Sequence, residues 1–171
     1  MSLTCVLMVS CNEPPKENEA GVPLQSLDDS VANYNKQIVK TEIQEIDDYI
    51  CRYHWEMKTT QTGLRYLIYK TGNGPFARPG DMVTIKYKIN LLDGDLVYRS
   101  DSNTMFTFAI GKRKVVNGLE EGIMLMNKGG RAKLIVPSHL AFGLLGDLQK
   151  IPTRAVLVYD IELCFIDQPK K

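Results

Sequence analysis

Little in this chain is in excess. Lysine and arginine number 21 against 20 acidic residues in 171 positions, a formal net charge of +1. A phosphate-binding surface needs a basic surplus, so this balance gives no electrostatic case for nucleic acid. Histidine is scarce: His54 and His139 stand far apart, and no serine or aspartate arrangement makes either part of a triad. The four cysteines (Cys5, Cys11, Cys51, Cys164) show no CxxC spacing, which indicates neither a zinc site nor a disulfide framework. Cys51 and Cys164 read as free or buried thiols, and neither metal nor cofactor is expected. GNG and KGG are turn glycines without the spacing of a phosphate loop. No apolar run is long enough to span a bilayer; LTCVLMVSC at the N-terminus is too short.

What is present divides the chain into four parts. Residues 1–11 are an apolar run ending at Cys11 and followed at once by polar NEPPKENEAG, the form of a secretory signal. The tetrapeptide MVSC resembles a bacterial lipobox, although Met8 stands where leucine is preferred and no basic residues precede the run. The resemblance implies that Cys11 is lipidated and anchors the chain to a membrane of the bacterial envelope, facing the periplasm. Residues 12–30 carry Pro14, Pro15, Gly21 and Pro23 with few large apolar groups, the composition of a flexible tether. In residues 31–57, Val39, Ile43, Ile46, Ile50 and Tyr53 recur at spacings of four and three, which predicts an amphipathic helix. Its apolar stripe needs a partner, either the downstream domain or a second copy of the chain in a homodimer.

Residues 58–171 form the main domain. After a polar break at Thr59 to Gly63, the period becomes two. LRYLIYK reads as a strand. In VTIKYKINLL, the residues Val83, Ile85, Tyr87, Ile89 and Leu91 alternate with polar ones, so one face is buried and one wet. Asp93-Gly94 signals a hairpin turn. LVYRS, MFTFAIG, RAKLIV and AVLVYDIELCFI complete the strands, with Phe106, Phe108 and Ile110 on one face. NGLEEGIMLM is the one helical segment in this domain, with Asn117 as its cap and acids in its first turn. The expected class is α+β: an antiparallel sheet wrapped around one short helix, preceded by the amphipathic N-terminal helix.

The phrases RPGDMVTIKY, LLDG, FTFAIGKRKVVNGLEEGI, NKGGRAKLIVPSHLAFG and IPTRAVLVYDIEL occur in this order between about Leu64 and Asp167. Together they resemble an FKBP-type peptidyl-prolyl isomerase domain, essentially complete. GLLGDLQKIP further resembles a lipoprotein branch of that family from Bacteroidetes, some members of which are linked to gliding motility. The resemblance implies an FKBP-like fold and a folding helper that isomerises X-Pro bonds in secreted or envelope proteins. The alternative is a non-catalytic chaperone or assembly module that uses the same cleft to bind peptide. Its partners would be proline-containing polypeptides.

Such chemistry needs an apolar pocket and a fixed donor rather than paired acids. The resemblance places Tyr87, Phe106 and Tyr159 at aromatic wall positions, Ile151 at an aliphatic one, and Val115 and Val116 before the helix. The Val116 N–H is then the donor to a substrate carbonyl. Leu119 takes the position where the family usually has the tryptophan that floors the pocket. Val97 and Tyr98 stand where Phe-Asp is usual, so the aspartate that orders the pocket is absent, with the Tyr98 hydroxyl as a candidate substitute. Phe142 replaces a tyrosine that commonly donates through its hydroxyl. These departures imply weak or narrow activity and poor affinity for macrolide inhibitors. Glu120 and Glu121 are expected to face solvent and complement the helix dipole, and His139 to lie in a rim turn.

Overall fold

The computed structural model describes residues 24–100 and 104–168. The signal segment with Cys11, and the tether as far as residue 23, lie outside the described residues. The first element is a long helix, α1 (Leu24–Arg52), and the boundary between two compact units falls inside it, between Thr41 and Glu42.

The sequence pattern places this helix at 31–57; it begins earlier and stops earlier. Its end has a clear cause. His54 takes a left-handed conformation (φ 52°), its N–H donates to the Cys51 carbonyl at 3.1 Å, and the Trp55 N–H donates to the Ile50 carbonyl at 3.2 Å. This pair of bonds is a Schellman cap, and it closes the last carbonyls of the helix. The rings of Tyr49, Tyr53 and Trp55 pack over the turn, with Tyr53 and Trp55 stacked at 5.1 Å between centroids.

Seven strands follow, β1 (Lys58–Thr59), β2 (Arg65–Lys70), β3 (Met82–Leu91), β4 (Leu96–Arg99), β5 (Phe106–Ala109), β6 (Arg131–Val136) and β7 (Leu157–Asp167). A short helix, α2 (Asn117–Met124), and a 3₁₀ turn at Ser138–Leu140 interrupt them. Every pairing is antiparallel. The sheet runs β1-β2-β6-β7-β3-β4, and β5 shares with β4 the outer edge of β3. They divide that edge: β5 pairs with Met82–Ile85, and β4 with Lys88–Asn90.

The sheet is covered on both faces. On one side Leu134, Val136, Leu157, Tyr159, Ile85 and Val83 pack under α2 through Leu119 and Ile123. On the other, Ile135, Val156 and Val158 receive Ile46 and Tyr49 from α1, with Ile50, Trp55 and Met57 at the margin. The central strands therefore bury alternate residues in two separate clusters. The stripe expected along α1 is only half used. Ile46 and Tyr49 are buried, whereas Val39, Ile43 and Tyr53 stay exposed. Tyr49 lies one turn from Ile46 and is the contact that the spacing of aliphatic residues overlooks.

α2 lies unusually close to β6. A Cβ built on Gly118 would sit 2.4 Å from Val136 Cγ1 and 3.2 Å from Leu140 Cβ. One built on Gly122 would sit 2.3 Å from Leu134 Cδ1. Val136 is β-branched and fully buried, so its χ1 is restricted. Substituting Gly118→Ala is expected to destabilise the domain by ~1–3 kcal/mol, the usual range for overpacking. The urea midpoint is the check. Gly122→Ala is expected to cost less, because the conflict there is with the flexible end of a leucine.

Candidate functional site

A cavity of about 640 Å³ opens between α2, the β3–β5 end of the sheet and the loop from Ala141 to Pro152. β3 supplies Tyr87 together with Ile85 and Ile89, β4 supplies Tyr98, β5 supplies Phe106 and β7 supplies Tyr159. Val115, Val116 and Leu119 come from the entry and first turn of α2, and Phe142 from the loop. Tyr87 and Phe106 meet edge to face at 6.1 Å, and Phe106 continues to Phe108 at 5.5 Å. Phe106 remains 39% exposed, so it stands at the mouth while Phe108 and Ile110 of the same run enter the core.

Eight of the ten sequence-designated pocket residues thus share one cavity. Val97 and Ile151 do not line it: both are buried in the core, at 6% and 3% exposure. A bulge explains Val97. The register shifts between Ile89 and Asn90, which face Tyr98 and Leu96, leaving Val97 without a partner. The extra residue lets consecutive side chains on β4 both turn inward. Ile151 is drawn in by its own backbone, whose N–H bonds Asp147 Oδ1 at 2.7 Å.

Asp147, Gln149 and Lys114 line the cavity without having been singled out in the sequence. Asp147 Oδ1 also accepts the N–H groups of Gln149 and Lys150, each at 2.9 Å, and its Oδ2 accepts the Tyr98 hydroxyl. The pocket therefore does contain a carboxylate, delivered by the loop rather than by the strand. An aspartate followed by amides free to turn back on it is a legible signal in GDLQKI, since Asp side chains cap their own downstream backbone. The Tyr98 hydroxyl has one proton and gives it to Asp147, so it does not serve as a substrate donor. Partial burial alone would raise the Asp147 carboxyl, but the Tyr98 hydroxyl and the amides of Ile151, Gln149 and Lys150 outweigh it and hold it at about 2. The same bond raises the Tyr98 phenol above its ordinary value, and burial raises that of Tyr159.

The remaining polar feature is the backbone before α2. The N-cap position belongs to Val116, with no side-chain cap, rather than to Asn117, which already has helical geometry. Among the described residues no acceptor takes the Val116 N–H. Glu121 accepts the Thr62 hydroxyl at 2.7 and 2.9 Å. Glu120, expected to face solvent, is half-buried, and its Oε1 is enclosed without a partner. His139 is exposed in the turn after β6 and donates from Nε2 to the Thr62 carbonyl at 2.9 Å. Glu42 of α1 secures the same turn by accepting the Ser138 N–H at 2.9 Å and the Ser138 hydroxyl at 2.5 Å.

A second concavity of about 440 Å³ lies against Lys86, Lys88, Arg131, Asp160 and Glu162. Arg131–Glu162 (3.0 Å) and Lys133–Asp160 (2.8 Å) ion pairs cross this face, so much of its charge is already matched. Among the described residues no group of three or more His, Cys, Asp or Glu side chains could hold a metal ion. Cys51 and Cys164 are free thiols. No described helix is long and apolar enough to cross a membrane.

An apolar cavity with aromatic walls, and the unbonded Val116 amide at its edge, belong to a class that comparison makes explicit. Residues 74–164, more than half of the chain, match the family of FKBP-type peptidyl-prolyl cis-trans isomerases, and the protein belongs to that family. FK506-binding protein 4 of Dictyostelium discoideum is 38% identical over 105 residues, which is 61% of this chain and 29% of that protein. The FKBP-type isomerase FkpA of Escherichia coli K12 is 36% identical over 110 residues, 63% of this chain and 39% of that protein. The matched region is thus well under half of these curated relatives. The crystal structure of FkpA from Escherichia coli superposes with a TM-score of 0.68 at 28% identity, covering 86% of this chain and 71% of that one. AtFKBP13 gives 0.61 at 30% identity, covering 65% and 98%.

The lowered Asp147 carboxyl fixes a pH dependence. Its folded-state value lies below the unfolded one, so its stabilising contribution is complete above about pH 4 and is lost as pH falls through about 2. Against Asp147→Asn, which does not titrate there, the wild-type stability advantage is expected to hold constant from neutral pH down to about 4 and shrink below it. Denaturant midpoints of both proteins across this range provide the measurement.

Proposed function

We propose that the protein is a peptidyl-prolyl cis-trans isomerase that acts on proline-containing polypeptides. The observation that carries this reading is the unclaimed Val116 N–H at the wall of a cavity otherwise built from Tyr87, Phe106, Leu119 and Tyr159. Rotation about an X–Pro bond passes through a twisted amide against a barrier of about 18–20 kcal/mol. No proton leaves and no covalent bond forms. Water favours the planar amide, whose oxygen is the more negative; an apolar cavity favours the less polarised twisted state. A donor that reaches the substrate carbonyl only in the twisted conformer adds preference for the transition state. Tyr87, Phe106 and Tyr159 supply the apolar walls, Val115 and Leu119 the floor, and the Val116 amide the donor.

A second reading, peptide binding without catalysis, is favoured by the side chains themselves. Leu119 is smaller than the tryptophan usual at this position, Phe142 has no hydroxyl, and the Tyr98 hydroxyl is engaged by Asp147. A panel of X-Pro peptides separates the two. The wild-type chain is expected to accelerate isomerisation, and Tyr87→Ala and Phe106→Ala to lose about tenfold or more, ~1.4 kcal/mol of barrier for each factor of ten. Binding by a folded chain that accelerates no peptide leaves the chaperone reading.

The anchor, the cell-envelope location facing the periplasm and membership of the Bacteroidetes lipoprotein branch rest on MVSC, the tether composition and GLLGDLQKIP. Cys11 lies outside the described residues. Incorporation of a labelled lipid precursor by the wild type, and its loss in Cys11→Ala, is the expected result. Exposed Val39 and Ile43, one turn apart on α1, support a homodimer through this helix.

A further inference from the structure

The loop from Ala141 to Pro152 contributes Phe142, Asp147 and Gln149 to the cavity; Ile151 seats its end in the core, but little apolar packing holds the span before it. Leu144, Leu145 and Leu148 are 66%, 74% and 87% exposed. The anchoring of that span is polar and converges on one side chain. Asp147 Oδ1 receives the amides of Gln149, Lys150 and Ile151, and the Asp147 N–H returns a bond to the Ile151 carbonyl at 3.1 Å. Gly146 permits this tight turn: its φ is +67°, and a Cβ there would lie 2.2 Å from the Ile151 carbonyl oxygen. These bonds shape the loop internally. The link to the sheet is the Tyr98 hydroxyl on Asp147 Oδ2, assisted by Lys150, whose Nζ lies 3.4 Å from the Val97 carbonyl and 5.4 Å from the Tyr98 ring centroid.

We infer that Tyr98 and Asp147 form a latch between β4 and the loop, and that turnover of X-Pro substrates depends on this latch because it fixes the loop wall of the cavity. The activity part rests on the isomerase reading above. A catalyst that works only by preferring one conformer of the substrate is sensitive to the position of every wall, and a displacement of about 1 Å can cost orders of magnitude in rate. Neither residue needs to touch the amide in flight. Both are positioning residues, and their contribution is to be found in kcat and in the order of the loop.

The test uses the full chain and the variants Tyr98→Phe, Asp147→Ala and Asp147→Asn, with thermal melting to establish that each is folded. Y98F and D147A are each expected to lower kcat for X-Pro peptides by about tenfold or more. The double variant Y98F/D147A is expected to be no worse than the worse single one, because both break the same link. D147N is expected to recover activity lost in D147A: its oxygen still accepts the three amides and its NH₂ can donate to Tyr98. Full activity in Y98F, additive losses in the double variant, or D147N as impaired as D147A would each overturn the inference. Hydrogen exchange at the Gln149, Lys150 and Ile151 amides decides the latch independently of catalysis. Faster exchange in Y98F than in wild type supports it, and unchanged exchange overturns it. Absence of any peptide turnover would defeat the isomerase reading alone and leave this exchange comparison standing.

Discussion

The distance between α2 and β6 governs the rest of the domain. Gly118 and Gly122, one turn apart, meet Val136 and Leu134 where any larger residue would overlap them. That approach sets the depth at which Val115, Val116 and Leu119 enter the cavity, and so the height of its floor. It also lets α2 cover the inner face with only two turns of helix, because each residue on its buried side reaches the sheet. The two acids that separate these glycines are carried along by the geometry: Glu121 finds Thr62, while Glu120 is left with an enclosed oxygen.

Around that floor the labour is divided between two kinds of interaction. The sheet side of the cavity is held by strand pairing and by burial, through strands whose alternate residues enter the main core. The loop side is seated at its end by Ile151 in the core, and its span of solvent-facing leucines is held by hydrogen bonds gathered on Asp147. Apolar packing is distributed over many contacts and tolerates gradual change. A hub of directed bonds either holds or fails. The cavity thus joins a robust half to a conditional one, and Tyr98 is the point at which they meet.

Much of this arrangement was legible in the sequence. The alternation in VTIKYKINLL and the Asp93-Gly94 turn announced the sheet, because a residue period of two and a turn dipeptide are properties of short segments; the cavity residues followed from the resemblance that the five phrases carry. What escaped notice depends on contacts between distant segments. The bulge that buries Val97 arises from strand pairing, and no local pattern marks it. Asp147 was passed over because its partner Tyr98 lies far away in sequence, although the downstream amides it caps are adjacent to it. α1 ends at Arg52, short of the expected Met57, at His54, one of the residue types enriched in the left-handed region; the Trp55 ring packs back on Tyr49 at this cap.

The position of that tryptophan has an optical consequence. Trp55 is the only one in the chain, and it sits with Tyr49 and Tyr53 on the sheet face opposite the cavity, with Lys133 Nζ 5.0 Å from its ring centroid. Where a tryptophan floors the pocket, its emission reports occupancy. Here the floor is leucine, so the single tryptophan does not face the cavity. It is instead a gauge of whether the end of α1 remains seated on β6 and β7. Loss of the helix junction is therefore open to tryptophan emission in the unlabelled protein, at a distance from whatever fills the cavity.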